Sequence, residues 1–194
     1  MFIVKRLALL LLLLLFVAGC GDDESTTSPT TNHLSQGWSL YESGDYAEAI
    51  TSFVAALESD PANTSAFNGL GWTWTKIGNM ELGRDEFQRA IDNGMTTADP
   101  YAGIAFASMD IAPADFNGAI SSALAALEIT SDWSFSHKTS IDWRDIRLVL
   151  AQSYFAIHNY DLANEQVVAL GGTAQVSEAD LMQEITRLND LYAG

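Results

Sequence analysis

Residues 37–61 read GWSLYESGDYAEAITSFVAALESDP, and the spacing of their small and large side chains decides the fold. Up to residue 43 the stretch reads as the end of a helix that starts near His33. Gly44 and Asp45 follow as a stop and a restart, with Asp45 placed to cap the next helix and Glu48 placed to complete a capping box. From Tyr46 to about Glu58, Ala49, Phe53, Ala56 and Leu57 fall on one stripe at helical spacing, while Glu48, Thr51, Ser52 and Glu58 face away. Gly37 and Ala49 carry little volume, which lets two helices joined by a short turn approach closely. Asp60 and Pro61 end the unit and can start the following helix, since proline lacks the N–H that is unpaired there in any case.

The pattern returns after 34 residues: Gly37, Gly44, Phe53 and Ala56 recur as Gly71, Gly78, Phe87 and Ala90. This second copy, about 65–94, has Met80 in place of the tyrosine and ends in Asn93 and Gly94, a C-cap signal. A third copy, about 99–130, opens on Asp99 and Pro100. It keeps the register of Phe116, Ala119, Ala123 and Ala126 only with two extra residues in the turn before them. A fourth, about 143–170, carries Leu150, Ala151, Tyr154, Tyr160, Ala163 and Val167, and stops at Gly171 and Gly172. Beyond it, residues 177–192 read as a last helix behind Ser177, with Leu181, Ile185, Leu188 and Leu191 on one stripe. The longest interruption is residues 131–142, SDWSFSHKTSID, which has no helical stripe. A helix pair of this size cannot bury its apolar face alone, so such copies stack, and a terminal helix covers the exposed end.

A helix, a tight turn and a second helix with this 34-residue period resemble the tetratricopeptide repeat (TPR). The resemblance implies an all-α, right-handed solenoid of about four repeats plus a C-terminal capping helix, spanning residues 33–194. It also implies a non-enzymatic scaffold that binds a protein or peptide in its concave groove.

Ahead of the repeats, Lys5 and Arg6 precede an apolar run from residue 7 to 17, the pattern of a secretory leader. The run is too short for a bilayer, which takes about 20 apolar residues. Its end, Val17, Ala18, Gly19 and Cys20, resembles a bacterial lipobox. That implies cleavage of residues 1–19 and acylation of Cys20 by palmitate-type chains, and hence a lipoprotein of the outer membrane, on its periplasmic side or at the cell surface. A plain secretory signal is the alternative. Cys20 is the only cysteine, so it has no disulfide partner. Residues 20–32 lack large apolar side chains and read as an acidic, Ser/Thr-rich tether. Its reach is roughly 20 Å. Losing Lys5 and Arg6 with the leader lowers the basic residues from 9 to 7 against 25 acidic ones, so the formal charge moves from −16 to −18. That balance argues against nucleic acid or anionic lipid as a ligand, because both require a basic surface.

In the resembled family, the first helix of each pair lines the groove. The groove positions are then Trp38, Tyr41, Trp72 and Phe106, with Gln152 and Phe155 in the fourth copy. Aromatic faces at these places suit an extended peptide or a partner helix. Alternatively, Trp38, Trp72 and Phe106 pack among themselves or against residues 131–142. Within 131–147, Trp133, His137 and Arg144 could form a lip over the groove, or the stretch could simply be a capped helix start with Asp142 as N-cap. A glycan or small-ligand receptor using the aromatic groove, and an enzyme centred on 131–147, are the other function classes. No cofactor is expected. His33, His137 and His158 have no partner at metal-ligand spacing, so no metal site is expected either.

Overall fold

The computed structural model describes residues 29–192. The leader, Cys20 and residues 20–28 of the tether lie outside the described residues. Within them the chain forms α1 (Pro29–Ser43), α2 (Tyr46–Ser59), α3 (Thr64–Lys76), α4 (Met80–Asp92), α5 (Asp99–Asp110), α6 (Phe116–Ile129), α7 (Trp143–Ala156), α8 (Tyr160–Ala169) and α9 (Glu178–Tyr192). The only extended pairing among the described residues is an isolated antiparallel bridge between Ser134 and Asp142.

Each helix packs on the next, and the odd-numbered helices also touch one another from α1 through α9. The odd helices therefore form the inner row of the stack and the even helices the outer row. The glycines set the closeness of the two rows. Phe53 on α2 lies between Gly37 on α1 and Gly69 on α3, and Phe87 on α4 lies between Gly71 on α3 and Gly103 on α5. A Cβ at any of these four glycines would overlap the ring beside it. Both phenylalanines are fully buried. In the third pair Ala123, also buried, stands where the first two pairs have phenylalanine.

In three of the four pairs the turn between the helices uses one residue in the left-handed region. Gly44 and Gly78 supply it with φ of +88° and +85°, and in the fourth pair His158 takes the same place with φ of +61°. Capping is mostly by Asn and Asp, whose side chains accept from N–H groups that have no partner within the helix. Asn63, Asn79, Asp115 and Asn159 cap α3, α4, α6 and α8 in this way. Asp142 and Asp145 form a full capping box at α7.

Five local expectations are corrected. Ser52, read as facing away beside the α2 stripe, is buried. Asp45 makes no side-chain cap bond, because its carboxylate accepts from the Ser43 hydroxyl at 2.8 Å instead. Pro61 does not open a helix: it sits in a turn, and Asn63 caps α3 two residues later. Residues 29–32, read as tether, belong to α1. On α9, Leu181, Ile185 and Leu188 are buried against α7 and α8, but Leu191 is 61% exposed, beyond the reach of that contact. The α9 helix thus lies where the first helix of another pair would lie and covers the end of the core.

Candidate functional site on the inner face

Residues 131–142, between α6 and α7, do not rim the inner face; they lie on it. Five backbone hydrogen bonds shape this strap: the Trp133 N–H donates to the Thr130 carbonyl (3.3 Å), the Phe135 N–H to the Ile141 carbonyl (2.9 Å), the Lys138 N–H to the Phe135 carbonyl (3.1 Å), the Ile141 N–H to the Lys138 carbonyl (2.9 Å) and the Trp143 N–H to the Trp133 carbonyl (2.8 Å). Around the Ser134–Asp142 bridge the backbone is extended and sends alternate side chains to opposite sides. Ser134 is accordingly exposed while Trp133 and Phe135 turn inward, and the turn at residues 136–137, closed by the Lys138 N–H on the Phe135 carbonyl (3.1 Å), exposes Ser136 and brings His137 inward.

The inward rings meet the inner-helix rings in order. Trp133 lies beside Phe106 and Trp72, with centroids 6.5 and 6.3 Å away. Phe135 stacks on Trp72 at 4.1 Å and meets Tyr41 edge-on at 5.9 Å. His137 stacks on Trp38 at 3.7 Å with the planes 2° apart. Phe135 is fully buried, and Trp133, Trp72 and Tyr41 are each 3–4% exposed. Polar groups hold the two ends. The Trp133 indole N–H donates to Asp99 Oδ1 at 2.6 Å, and His137 Nδ1 lies 2.7 Å from Glu42 Oε1.

Burial acts on the ionisable groups of this face. It pushes the Asp99 carboxyl above the usual carboxylate range, opposed by the bond from Trp133. It also pushes the Tyr41 phenol upward.

The rings expected to line an open groove are therefore covered, and the alternative in which they pack against residues 131–142 describes the arrangement found. Trp38, Tyr41, Trp72 and Phe106 come together with Trp133, Phe135 and His137 in one cluster. Gln152, Phe155 and Arg144 have other partners. The Gln152 amide donates to Asn189 on α9 (3.4 Å), and Phe155 packs against Tyr160 at 5.3 Å. Arg144 pairs with Asp142 at 2.6 Å and lies over the rings of Trp143 and Tyr192. The α9 helix, not the strap, covers that end of α7. His137, Asp142 and Asp145 do not converge: the two aspartates cap α7, whereas His137 faces Trp38 and Glu42. Among the described residues no group of three or more His, Cys, Asp or Glu side chains is placed to hold a metal ion. No helix among them is long and apolar enough to cross a membrane.

Beside the strap the inner face stays open as a cleft of about 240 Å³. Trp72, Phe106, Ala107 and Ile141 give it apolar walls, with Thr75 and Met80 alongside, and Lys76, Asp110 and Asp145 bring charge. Burial lowers the Lys76 ammonium pKa, helped by the like charge of Lys138. Burial raises the Asp145 carboxyl, against the bond it accepts from the Asp142 N–H. The sequence reading missed this cleft and the central role of Phe135. The alternation Trp133, Ser134, Phe135, Ser136, His137 was the available signal, since period two marks an extended segment with one covered side.

The tetratricopeptide repeat family model matches residues 34–102. Among solved structures, the MamA protein is 17% identical over 85% of this chain and 94% of its own, with a TM-score of 0.62. YrrB, described as a TPR protein with an unusual peptide-binding site, is 16% identical over 83% of this chain and 76% of its own, with a TM-score of 0.61. A thermophilic TPR protein of Thermus thermophilus is 18% identical over 85% of this chain and 83% of its own, with a TM-score of 0.58. At these identities the likeness is one of fold. The described residues form an all-α, TPR-like solenoid. No curated protein matches the sequence.

Proposed function

We propose that this TPR-like stack is a lipid-anchored scaffold of the bacterial envelope, which binds a protein or peptide partner on its inner face and works in outer-membrane assembly, secretion or cell-wall synthesis. One observation carries the binding part: the inner face already seats a non-helical segment of its own chain, with Trp133 and Phe135 buried on Phe106 and Trp72. A surface that accepts such a segment by its alternate rings is shaped for peptide recognition. The cleft beside the strap continues that surface and is open to a partner. The anchor rests on the lipobox-like residues 17–20 and on the single cysteine.

The test is capture of envelope proteins by the full chain in detergent, with the retained proteins identified by mass spectrometry. Lys76→Glu alters a charged, exposed wall of the cleft without entering the core, and it is expected to abolish capture while the circular dichroism and melting temperature stay unchanged. Capture that survives this change removes the cleft from the account. For the anchor, Cys20→Ser is expected to move the protein from the membrane to the soluble fraction, and a variant that stays with the membrane sinks that part. A small-ligand or glycan receptor is the second reading, favoured by the aromatic walls of the cleft. Saturable quenching of tryptophan fluorescence by a peptidoglycan fragment, with no protein captured, selects it.

A further inference from the structure

We infer that the strap is a self-ligand: it closes the inner face with the ring order that a partner must present, and a partner segment with aromatic rings at alternate positions, ending in an imidazole or a flat cation, displaces it. This deepens the binding reading above and rests on it.

Three observations support it. First, the strap presents its side chains as a ligand would. Its rings recur every second residue, Trp133 and Phe135 from the short extended stretch at the Ser134–Asp142 bridge and His137 from the turn that follows, and meet rings supplied by three successive inner helices. Second, the grip is graded along the strap. Trp133 is held by its indole bond to Asp99 and by backbone bonds to Thr130 and Trp143. At the far end His137 is held only by its ring contacts and by Glu42, whose side chain is 52% exposed. Segments with few buried contacts open first, so the strap frays from His137 toward Trp133. Third, the seat defines its occupant. The Trp38 face beside Glu42 suits a planar, positively charged group, and the −16 charge of the chain favours a basic segment. The middle seat, against Trp72 and Tyr41, holds the apolar ring of Phe135, which leaves the buried Trp72 indole N–H and Tyr41 hydroxyl without a hydrogen-bond partner. The seat at Asp99 takes a ring with an N–H donor.

A tethered strap competes at the effective concentration of an intramolecular ligand, which is in the millimolar range for short connections. The affinity measured for any outside segment is reduced by the fraction of time the strap is closed. Emptying the strap therefore raises that affinity.

The experiment uses a fluorescent synthetic peptide with the sequence of residues 131–138, titrated against the full chain and against the full chain carrying Phe135→Ser with His137→Ser. The expected result is binding to the emptied variant about 100-fold tighter than to the parent, with a second peptide in which serine replaces all three ring positions failing to bind. A folded variant that does not bind the first peptide, or binds both peptides alike, overturns the inference.

If the double variant does not fold, native-state hydrogen exchange on the unaltered chain decides. The amides of Phe135, Ile141 and Trp143 are expected to exchange through a local opening, at least 10-fold faster than those of Thr73 and Ala107 in α3 and α5. Exchange of all five at one common rate shows a strap that opens only on unfolding, and overturns the inference. The two readings separate cleanly. Capture lost in Lys76→Glu with a strap that never opens alone keeps the scaffold and removes the self-ligand. Peptide binding without any captured protein does the reverse.

Discussion

Phe87 and Phe135 are both fully buried, and both touch Trp72, one edge-on at 5.4 Å and the other stacked at 4.1 Å. They reach it by different routes. Phe87 comes from an outer helix and is set between Gly71 and Gly103, on backbone that is hydrogen-bonded at every turn. Phe135 comes from a strap that a few local backbone bonds shape, outside any helix. Equal burial thus hides unequal support, and the cost of losing a ring depends on how far its surroundings can collapse. Around Phe87 the helices are held apart by the rest of the stack. Around Phe135 the strap is free to settle.

Removing the two rings tests that contrast most strongly. Phe87→Ala is expected to cost about 4–5 kcal/mol and Phe135→Ala about 3 kcal/mol, read from urea midpoints at constant slope. Equal costs would make the strap as integral as the helices and would count against its opening alone. Next in size is Gly103→Ala, whose new methyl would overlap the Phe87 ring. Overpacking of this kind costs about 1–3 kcal/mol. In a Phe87→Leu background, which relieves the overlap, most of that cost is expected to vanish. A cost that persists would show that the glycine matters for some reason other than the ring.

These positions also show what could be read from the sequence. The 34-residue return of Gly37, Phe53 and Ala56 is a packing requirement written as residue size, so the helix pairs and the small-against-large contacts were legible. The strap was not. Its position depends on rings more than 25 residues away in sequence, Trp38, Trp72 and Phe106, and on a side-chain bond to Asp99 across 34 residues. Local spacing marks a covered side of the strap but not what covers it. Within the site, the sequence identified the inner-face aromatics and left two readings of their repetition, an open lining and packing against residues 131–142. The same aromatic character attracts the chain's own Trp133 and Phe135, because leaving so many large rings exposed is costly. The caps divide similarly. Asp45 and Asp142 look alike in sequence, yet Ser43 takes the carboxylate of the first, and only the second caps its helix.

That last difference gives a smaller prediction at the strap's exit. Asp142→Ala removes the α7 cap and is expected to cost about 1 kcal/mol, whereas Asp45→Ala is expected to change stability by less than about 0.5 kcal/mol. Thermal melts of the two variants side by side check the pair. Similar losses would mean that Asp45 caps α2 in solution.

The finest test of the strap's root is Asp99→Asn, where the effect should be smallest because the amide oxygen still accepts the Trp133 N–H. What changes is the dependence on pH. Burial raises the Asp99 carboxyl above its ordinary range, so folding favours its protonated form. The stabilisation from this group is complete below the ordinary carboxylate value and is lost as pH rises through the raised, folded value. The asparagine variant has no such group. The stability of the parent minus that of the variant should therefore fall as pH rises from about 4, then level off once Asp99 is ionised in both states. Taking the difference cancels the many other carboxylates of this acidic chain, whose titration would otherwise mask one residue. A difference that rises over the same range would mean that the ionised carboxylate is favoured, with the Trp133 bond outweighing burial, and that the strap is anchored at its root by charge as well as by its rings.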